Sequence, residues 1–276
     1  MNTNVSVRAS RVKGLAASPR QMLLLAPSAP AVPGFFKEVR TCPSRFEDLM
    51  AEMQTLRGRI YVQDGAIDPD ELINGRHQVP LDEGSWHLLV LDRDDRVCGC
   101  ARYREYSSQT RFSDLAVSRS ALARSPTWGE RLRSVIEEEM TLARRANVPY
   151  VELGGWALTE EIRGTAEALR MALASYGLAR GLGGGVGLST VTRRNCSSAI
   201  LRKMGGRSLE HEGAELPAYY EPQFRCEMEV LRFYSWAPNP RYNMWIDGMT
   251  VELRTIPILA NHRSETSAFC ATSCRS

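Results

Sequence analysis

The sequence predicts an α/β fold of the α+β kind, built around one mixed sheet. Two apolar runs, at residues 86–91 and 97–103, flank a short charged turn, which is the pattern of an antiparallel hairpin. Apolar residues recur every three or four positions between residues 46 and 60, as on the buried face of a helix. Strand and helix patterns then follow without the regular repeat of a doubly wound sheet. We therefore expect mixed, mostly antiparallel strands flanked by helices.

The elements are expected in the order β, α, α, β-hairpin, α, β, α, β, α, β, β. Before the hairpin, the sequence predicts a strand at residues 35–39, a helix that opens with the capping box Ser44-x-x-Glu47, and a short helical piece around residues 71–73. After the hairpin, the predicted strands are 112–117, 150–158, 186–192, 207–210 and 226–234, and the predicted helices are 127–146, 165–180, 197–204 and one that starts at Asn239.

Composition suggests where the folded domain begins and ends. Residues 1–37 contain no Asp or Glu, so residues 1–34 are expected to be a disordered tail, with a targeting peptide as the alternative. One domain is expected over residues 35–235, followed by a helical appendage at residues 236–260. Residues 261–276 are polar and predict a flexible tail.

Charge and cysteine content exclude several classes of function. The 276-residue chain has a net charge of only +3, which gives no reason to expect a nucleic-acid partner. Its 7 cysteines form no Cys-x-x-Cys pair and its 4 histidines are far apart, so we expect no metal site and no disulfide framework. Reduced thiols fit a cytoplasmic protein. The apolar run at residues 22–26 is far below the roughly 20 residues of a membrane span.

The stretch from residue 158 to residue 169 lies between a predicted strand and a predicted helix. It contains Arg163, Gly164, Thr165 and Ala166. The first N–H groups of a helix are unpaired and its dipole favours negative charge, so this loop suits a phosphate group. The alternative is a helix start in which Arg-Gly serves packing. Glu167 follows directly and should weaken the binding of a doubly charged diphosphate.

Gly154 and Gly155 interrupt the apolar strand at residues 150–158. Glycines in such positions usually mark a bulge, or a place where a ligand approaches the backbone. The backbone N–H groups around them and around Trp156 could donate to a thioester oxygen as its negative charge develops.

The order of elements, the 158–169 stretch and the segment 195–206 together resemble the GNAT superfamily of acyltransferases, over residues 35–234. The resemblance implies a GNAT-like fold, and an acyl thioester of phosphopantetheine as co-substrate with no tightly bound cofactor. The tyrosine that usually protonates the departing thiolate falls at Leu201, so that acid is missing from its normal place. The residues that the resemblance assigns to the donor site are Gly154, Gly155, Arg163, Gly164, Thr165, Ala166 and Asn195.

Shorter stretches narrow the resemblance to acyl-homoserine-lactone synthases and the related N-acyl amino acid synthases. In that branch an Arg, an Asp, a second Arg and a Glu surround an amino-acid-derived acceptor, and the donor is an acyl carrier protein with a longer acyl chain. The family's Glu-x-x-Arg would place an arginine at position 155, where this chain has glycine. The stretches are residues 56–62, Asp82 ahead of residues 85–87, residues 99–102 and residues 151–153. The acceptor-binding residues we expect are Arg57, Asp82, Arg102 and Trp156.

Glu152 is the candidate base. Acyl transfer to an amine requires loss of the ammonium proton, and a carboxylate on a buried strand can have its pKa raised by desolvation. The alternative is a Glu on an edge strand that faces solvent. His87 is the rival base, although a histidine on an apolar strand is more often a core residue. Arg102 is expected to clamp the acceptor's carboxylate, with an internal ion pair to Asp82 as the alternative.

A basic cluster, formed by Arg193, Arg194, Arg202, Lys203 and Arg207, would suit an acidic carrier protein or the phosphates of CoA. A solvated charged face is the alternative. Three functions stay open at this point. They are an N-acyltransferase acting on an amino-acid-like amine with acyl carrier protein or acyl-CoA as donor, a conventional acetyl-CoA N-acetyltransferase, and an inactive GNAT-fold binding domain.

Overall fold

A computed structural model describes residues 20–194 and 197–261 of the chain. A ten-stranded sheet runs through the molecule in the order β10-β11-β6-β5-β4-β3-β1-β12-β2, with β7 also paired to β11, and β8 and β9 form a separate hairpin. The strands are β1 Gln21–Leu25, β2 Val39–Thr41, β3 Trp86–Leu91, β4 Val97–Tyr106, β5 Tyr150–Leu158, β6 Val186–Thr192, β7 Arg207–Ser208, β8 Glu210–His211, β9 Ala214–Glu215, β10 Tyr219–Glu221, β11 Cys226–Tyr234 and β12 Ile258–Ala260. The pairs β1–β12, β12–β2 and β5–β6 are parallel and the others are antiparallel, so the predicted mixed, mostly antiparallel sheet is confirmed.

Helices cover both faces of this sheet. The helices are α1 Pro43–Gln63, α2 Gly129–Arg145, α3 Ala166–Gly181, α4 Ser197–Met204 and α5 Asn243–Leu253. Buried side chains of α1 and α2 pack on one face, and those of α3, α4 and α5 pack on the other. Within the described part of the chain, no helix has the length and apolarity needed to cross a membrane.

Several predicted elements are confirmed, including the β3–β4 hairpin, β6, α4 and β11. The strand predicted at residues 112–117 is wrong. Those residues form two short 3-10 helices, Phe112–Asp114 and Ala116–Arg119. Helix α1 begins at Pro43 with Cys42 as its N-cap, and Cys42 makes no capping side-chain bond, so the predicted capping box is absent.

The predicted N-terminal tail over residues 1–34 needs correction. Residues 1–19 lie outside the described part, but β1 is a central strand that pairs with β3 and with β12. Its Leu24 and Leu25 are completely buried. Phe36 is also buried in the core, and the strand that follows it begins at Val39 rather than at residue 35.

The C-terminal region is part of the domain and not an appendage, contrary to the prediction for residues 236–260. Helix α5 packs so closely on α3 that a Cβ at Gly177 would lie 3.0 Å from Cδ1 of Leu253. Strand β12 then enters the main sheet between β1 and β2. Of the predicted tail at 261–276, only Asn261 lies within the described residues.

Candidate active site

Strand β5 carries a bulge at its two glycines. Cys100 of β4 pairs with Ala157 and Arg102 pairs with Gly154, so β5 uses one residue more than β4 over this stretch. Gly155 has a φ of +62°, and a Cβ there would lie 3.2 Å from Cβ of Arg102. Glycine is required both by the backbone conformation and by the close approach of Arg102.

Strands β5 and β6 separate beyond this bulge. Their parallel register runs from Tyr150↔Val186 to Leu153↔Ser189, where Oγ of Ser189 donates to the carbonyl of Leu153 at 3.0 Å. Among the described residues, the later parts of the two strands, 154–158 and 190–192, are not paired with each other. The edge of β5 that faces β6 is therefore open from the bulge onward.

The N-terminus of α3 follows at the end of β5, as predicted. Thr165 is the N-cap, and its hydroxyl accepts a hydrogen bond from the Glu167 N–H at 3.2 Å. Gly164 has a φ of +72° and a Cβ there would meet nothing within 4 Å. Gly164, Thr165 and Ala166 are exposed. The exposed start of α3 is thus a suitable position for a phosphate group.

Arg163 is engaged by another side chain instead of pointing freely at this loop. Its Nη1 and Nη2 donate to the two carboxylate oxygens of Asp64 at 2.9 and 2.7 Å, and its Nε donates to the Leu158 carbonyl at 3.1 Å. Arg194 donates to the backbone carbonyl of the same Asp64. The C-terminal end of α1 therefore ties together the chain segments that follow β5 and β6.

Arg57 and Asp82 are brought together on the opposite side of the sheet from α3. Nη1 and Nη2 of Arg57 donate to the two oxygens of Asp82 at 3.0 and 2.7 Å, and Gln54 donates to Asp82 at 3.1 Å. Burial would raise the pKa of Asp82, but the hydrogen bonds and charge of Arg57 hold that pKa below its usual value. The hydrogen-bonding groups of both side chains are engaged with each other and with neighbouring residues, and both side chains are almost inaccessible to solvent. They therefore support the site and do not line it.

Arg102 lies beside this pair, but the pair does not use all of its hydrogen-bond donors. Its Nη1 is 3.7 Å from Oδ1 of Asp82, which is an ion pair but too long for a good hydrogen bond. Its Nη2 lies 3.5 Å from the place of a Cβ at Gly154, directly at the bulge. Its Nε has no hydrogen-bond partner among the described residues, and 13% of the side chain is exposed. Arg102 therefore keeps donors for a ligand.

His87 is a neutral, buried neighbour of Arg102. Its Nε2 is 2.8 Å from the Asp82 carbonyl, which can only accept, so Nε2 carries the proton and Nδ1 is an acceptor. Burial lowers the pKa of His87 to about 4, despite the opposing charge of Asp82, and the charges of Arg57 and Arg102 lower it further. His87 is therefore uncharged at neutral pH.

Glu152 is buried on a central strand, which excludes the solvent-facing alternative. Its carboxylate accepts hydrogen bonds from the backbone N–H of Ala116 at 2.9 Å, from that of Val117 at 3.0 Å and from the hydroxyl of Tyr106. These bonds hold the first turn of the 3-10 helix Ala116–Arg119 against β5. Glu152 lies two residues before Gly154 on the same strand face, so it is close to the bulge.

Trp156 is not brought to the predicted acceptor residues. Its side chain packs against the core on the α3 face of the sheet, whereas Arg57 and Asp82 lie on the α1 face. The bulge, which is one of the two readings of the glycine pair in the sequence, reverses the side-chain alternation at this point, so Trp156 lies on the face opposite to the expected one. Asn195 lies outside the described residues. Leu201 is buried in the core, so its position offers no acid for a departing thiolate.

No family model and no curated protein matches the sequence. Solved structures do match. The CoA-dependent acyl-homoserine lactone synthase BjaI, with SAM and isopentyl-CoA, has a TM-score of 0.51 at 14% identity over 89% of this chain and 95% of its own. The same protein with MTA gives the same values. The chain therefore has the fold of an acyl-homoserine lactone synthase. This confirms the GNAT-like fold.

A more distant match is FeeM, an N-acyl amino acid synthase from uncultured soil microbes. It has a TM-score of 0.43 at 11% identity over 71% of this chain and 88% of its own. At sequence identities this low, the matches show only that the folds are similar. The roles of individual residues depend on the geometry described above.

Within this synthase fold, sequence reasoning missed three residues of the site. Gln54 and His77 both bind the Arg57–Asp82 pair, His77 through its ring and its carbonyl, and Tyr106 binds Glu152. Gln54 stands one helical turn before Arg57, and this i, i+3 spacing was a usable signal. His77 lies in a loop, where spacing carries no such information.

The predicted basic cluster is partly neutralised. Arg193 pairs with Glu227 at 3.5 Å, and Arg202 pairs with Glu229. Lys203 and Arg207 are exposed and form no ion pair with other described residues. Arg194 is exposed as well and forms no ion pair with a described residue, but its guanidinium donates to the backbone carbonyls of Asp64 and Arg225.

Proposed function

We propose that this chain is an acyltransferase that moves an acyl group from a phosphopantetheine thioester to the amine of an amino-acid-like acceptor. The products are N-acyl amino acids or molecules of the acyl-homoserine-lactone type. The proposal rests chiefly on one observation, which is the opening between β5 and β6 at the Gly154–Gly155 bulge, followed by the exposed N-terminus of α3. A thin, extended thioester arm with a phosphate at one end fits this arrangement.

The donor is proposed to lie along the open edge of β5. Unpaired backbone N–H groups near the bulge would donate to the thioester oxygen, whose negative charge grows as the amine attacks. The N-terminus of α3 would hold a phosphate through the N–H groups of Gly164 and Ala166 and the helix dipole, since the N–H of Thr165 already donates to the Ile162 carbonyl at 3.3 Å.

The acceptor is proposed to bind on the α1 face, where Arg102 reaches the bulge. A planar guanidinium binds a carboxylate through two parallel hydrogen bonds. Arg57 and Asp82 would act as positioning residues, because their charges are already paired and buried. This arrangement would hold the amine close to the acyl carbon.

The chemical step is a displacement at the acyl carbon. The amine nitrogen forms a bond to that carbon, the carbon–sulfur bond breaks, and the thiol leaves with a proton. Glu152 is proposed as the group that takes the ammonium proton, directly or through a water, because an ionised carboxylate has about four lone-pair positions and three here are filled. With Leu201 buried, the departing thiolate would take its proton from solvent.

The acyl group could be carried by acyl carrier protein or by CoA, and both carry it on a phosphopantetheine arm. Glu167 gives no reason to disfavour a diphosphate, contrary to the expectation from the sequence, because its side chain is buried and paired with Arg170 at 3.6 Å. We therefore propose the shared phosphopantetheine thioester arm as the recognised group. Acyl carrier protein remains a proposed partner through Lys203 and Arg207. Charge reversal at these two positions, which breaks no internal ion pair, should reduce turnover with acyl carrier protein and leave turnover with acyl-CoA unchanged; equal effects on both donors would remove the carrier protein from the proposal.

The proposed function is tested by mass spectrometry of lipid extracts from cells that express the chain. Cells that express the Gly155→Ala variant serve as the matched control. New N-acylated amino acids or acyl lactones that depend on the wild-type chain support the proposal. New acetylated amines would instead favour a conventional N-acetyltransferase. The absence of any new N-acylated compound would favour a binding domain without catalysis.

A further inference from the structure

Asp64, the C-cap residue of α1, links the two chain segments that leave the opening between β5 and β6. Its carboxylate accepts hydrogen bonds from Nη1 and Nη2 of Arg163 at 2.9 and 2.7 Å, and its backbone carbonyl accepts from Arg194. Arg163 follows β5 and Arg194 follows β6. One residue of α1 therefore holds a guanidinium from each of the two strands that separate, one on its carboxylate and the other on its carbonyl.

The charge of Arg163 is compensated without any bound donor. Each nitrogen of its guanidinium has a hydrogen-bond partner, since Nη1 and Nη2 donate to Asp64 and Nε donates to the Leu158 carbonyl at 3.1 Å. The hydrogen bonds to Asp64 raise the pKa of Arg163, so this carboxylate stabilises the charged guanidinium. The two side chains are only 33% and 19% exposed, so the pair is partly shielded from water.

This pairing turns Arg163 away from the proposed phosphate site. Arg163 directly precedes the segment Gly164–Ala166, where a donor phosphate is proposed to bind. An unpaired arginine at this position would add a full positive charge and a planar set of donors to the dipole of α3. Asp64 instead holds the guanidinium at the end of α1. The loop also carries Glu160 and Glu161, both exposed, so its own side chains present no net positive charge to a phosphate.

We propose that Asp64 withholds Arg163 from the donor and thereby sets the affinity of this loop for phosphate groups. This inference rests on the proposed function and deepens it, because it names a residue that determines which donor the site accepts. The withheld charge disfavours CoA most, whose arm continues into a diphosphate and a ribose phosphate. It matters least for an arm that ends in a single phosphodiester. Asp64 is thus a specificity-determining residue and takes no part in the chemical step.

The alternative is that the Asp64–Arg163 pair only fastens α1 to the loop, and Asp64→Asn separates the two explanations. Asparagine has nearly the same shape and keeps the backbone carbonyl for Arg194, but it removes the charge that holds Arg163. If Asp64 withholds Arg163, the released guanidinium becomes available to phosphate and CoA binds more tightly. If the pair only fastens the loop, its loss loosens the phosphate site and CoA binds more weakly.

The experiment is titration calorimetry of the full chain with CoA and, at higher concentration, with pantetheine, which has no phosphate. We expect Asp64→Asn to tighten CoA binding about 10-fold, as for one gained hydrogen bond between charged groups, and to leave pantetheine binding unchanged. The gain should shrink as the salt concentration rises, because the released charge is screened. The double variant Asp64→Asn/Arg163→Gln should lose the gain, since it lacks the guanidinium that provides it.

Asp68→Asn is the matched control. It removes a carboxylate from the segment that follows α1, but this carboxylate is paired with Arg225 and not with Arg163. CoA binding should stay nearly the same in this variant, which separates the release of Arg163 from a general loss of negative charge. Cooperative urea unfolding of each variant shows that its fold is intact.

Several results would overturn the inference. Weaker or unchanged CoA binding by Asp64→Asn contradicts it, and so does an equal gain in Asp68→Asn or a gain that persists in the double variant. These results leave the proposed function in place if the wild-type chain binds CoA or transfers an acyl group from either donor. If neither the wild type nor Asp64→Asn binds CoA and no acyl group is transferred, the proposed function fails together with the inference.

Discussion

Arg57 and Asp82 form a two-pronged ion pair, with N–O distances of 3.0 and 2.7 Å, between side chains that are 1% and 3% exposed. The pair joins the middle of α1 to the loop before β3. Removing one partner of a buried pair leaves an unpaired charge, which is far more costly than loss of an exposed pair.

The first prediction concerns stability. Arg57→Met should lower the free energy of unfolding by about 3–5 kcal/mol, because it leaves the Asp82 carboxylate buried without its main partner. The control is Arg133→Met, which removes the exposed pair with Glu130 and should cost less than about 1 kcal/mol. Urea denaturation of both variants checks the difference. Equal midpoints would show that the Arg57 pair contributes little.

The second prediction is a loss of stability in mild acid. Since the pKa of His87 is about 4 in the folded chain and 6.5 in the unfolded one, only the unfolded chain takes up this proton between those values. This histidine alone should therefore lower stability by about 1.4 kcal/mol per pH unit as pH drops from 6.5 to 4. Burial likewise lowers the pKa of His77 to about 4, so His77 should add a similar loss over the same range. The depressed pKa of Asp82 adds a further loss below its usual value of 3.8.

Urea midpoints at pH 7, 6 and 5 measure this slope. The His87→Asn variant, which cannot titrate, should show a clearly shallower slope over the same range. The same slope in the variant and the wild type would contradict the assignment to His87.

The third prediction compares two glycines with similar backbone conformations. Gly155→Ala and Gly164→Ala both place an alanine at a positive φ, which costs about 1–2 kcal/mol. Only at Gly155 does the new Cβ press on Arg102 and Arg57. Steady-state kinetics should show a loss of about 100-fold in kcat/KM for Gly155→Ala, as for loss of one oxyanion donor. Gly164→Ala should lose far less.

The fourth prediction concerns Glu152. Glu152→Gln should lower kcat by about 100-fold or more, because an amide cannot take a proton. It should also lower stability by about 1–3 kcal/mol, because its NH2 group cannot accept from Ala116 or Val117. Tyr106→Phe is the control, since it removes one donor and keeps the carboxylate. A Glu152→Gln variant with normal turnover would leave Glu152 a purely structural anchor.

The sequence predicted the secondary structure correctly where the spacing of apolar residues was regular. The β3–β4 hairpin, β6 and β11 have strong apolar patterns and were predicted with nearly correct ends. Strand β1 was missed because its apolar run lies in a segment without acidic residues and between prolines, which resembles a leader. Its status as a strand depends on pairing with β3 and with β12, which lie more than 60 and more than 200 positions away in the sequence.

The candidate site could be predicted only in part. Arg57, Asp82, Arg102, His87 and Glu152 were named as candidates from the sequence, and they lie on one side of the sheet. The sequence could not reveal that Asp82 satisfies Arg57 while Arg102 keeps free donors, because pairing depends on distances of a few ångströms. The sequence also predicts a strand at residues 112–117, where the structure has 3-10 helices. The helix that begins at Ala116 is held by Glu152 of β5, a contact that the local sequence does not show.

Acyl transfer by the purified full chain is the measurement that tests the central claim most directly. Isotope-labelled decanoyl-CoA and decanoyl carrier protein are each incubated with the panel of amino acids, and thiol release is followed together with the mass of the product. The proposed function predicts one thiol released for each N-acyl product formed, in amounts that depend on the amino acid. No N-acyl product with either donor, from protein that unfolds cooperatively on heating, would contradict it.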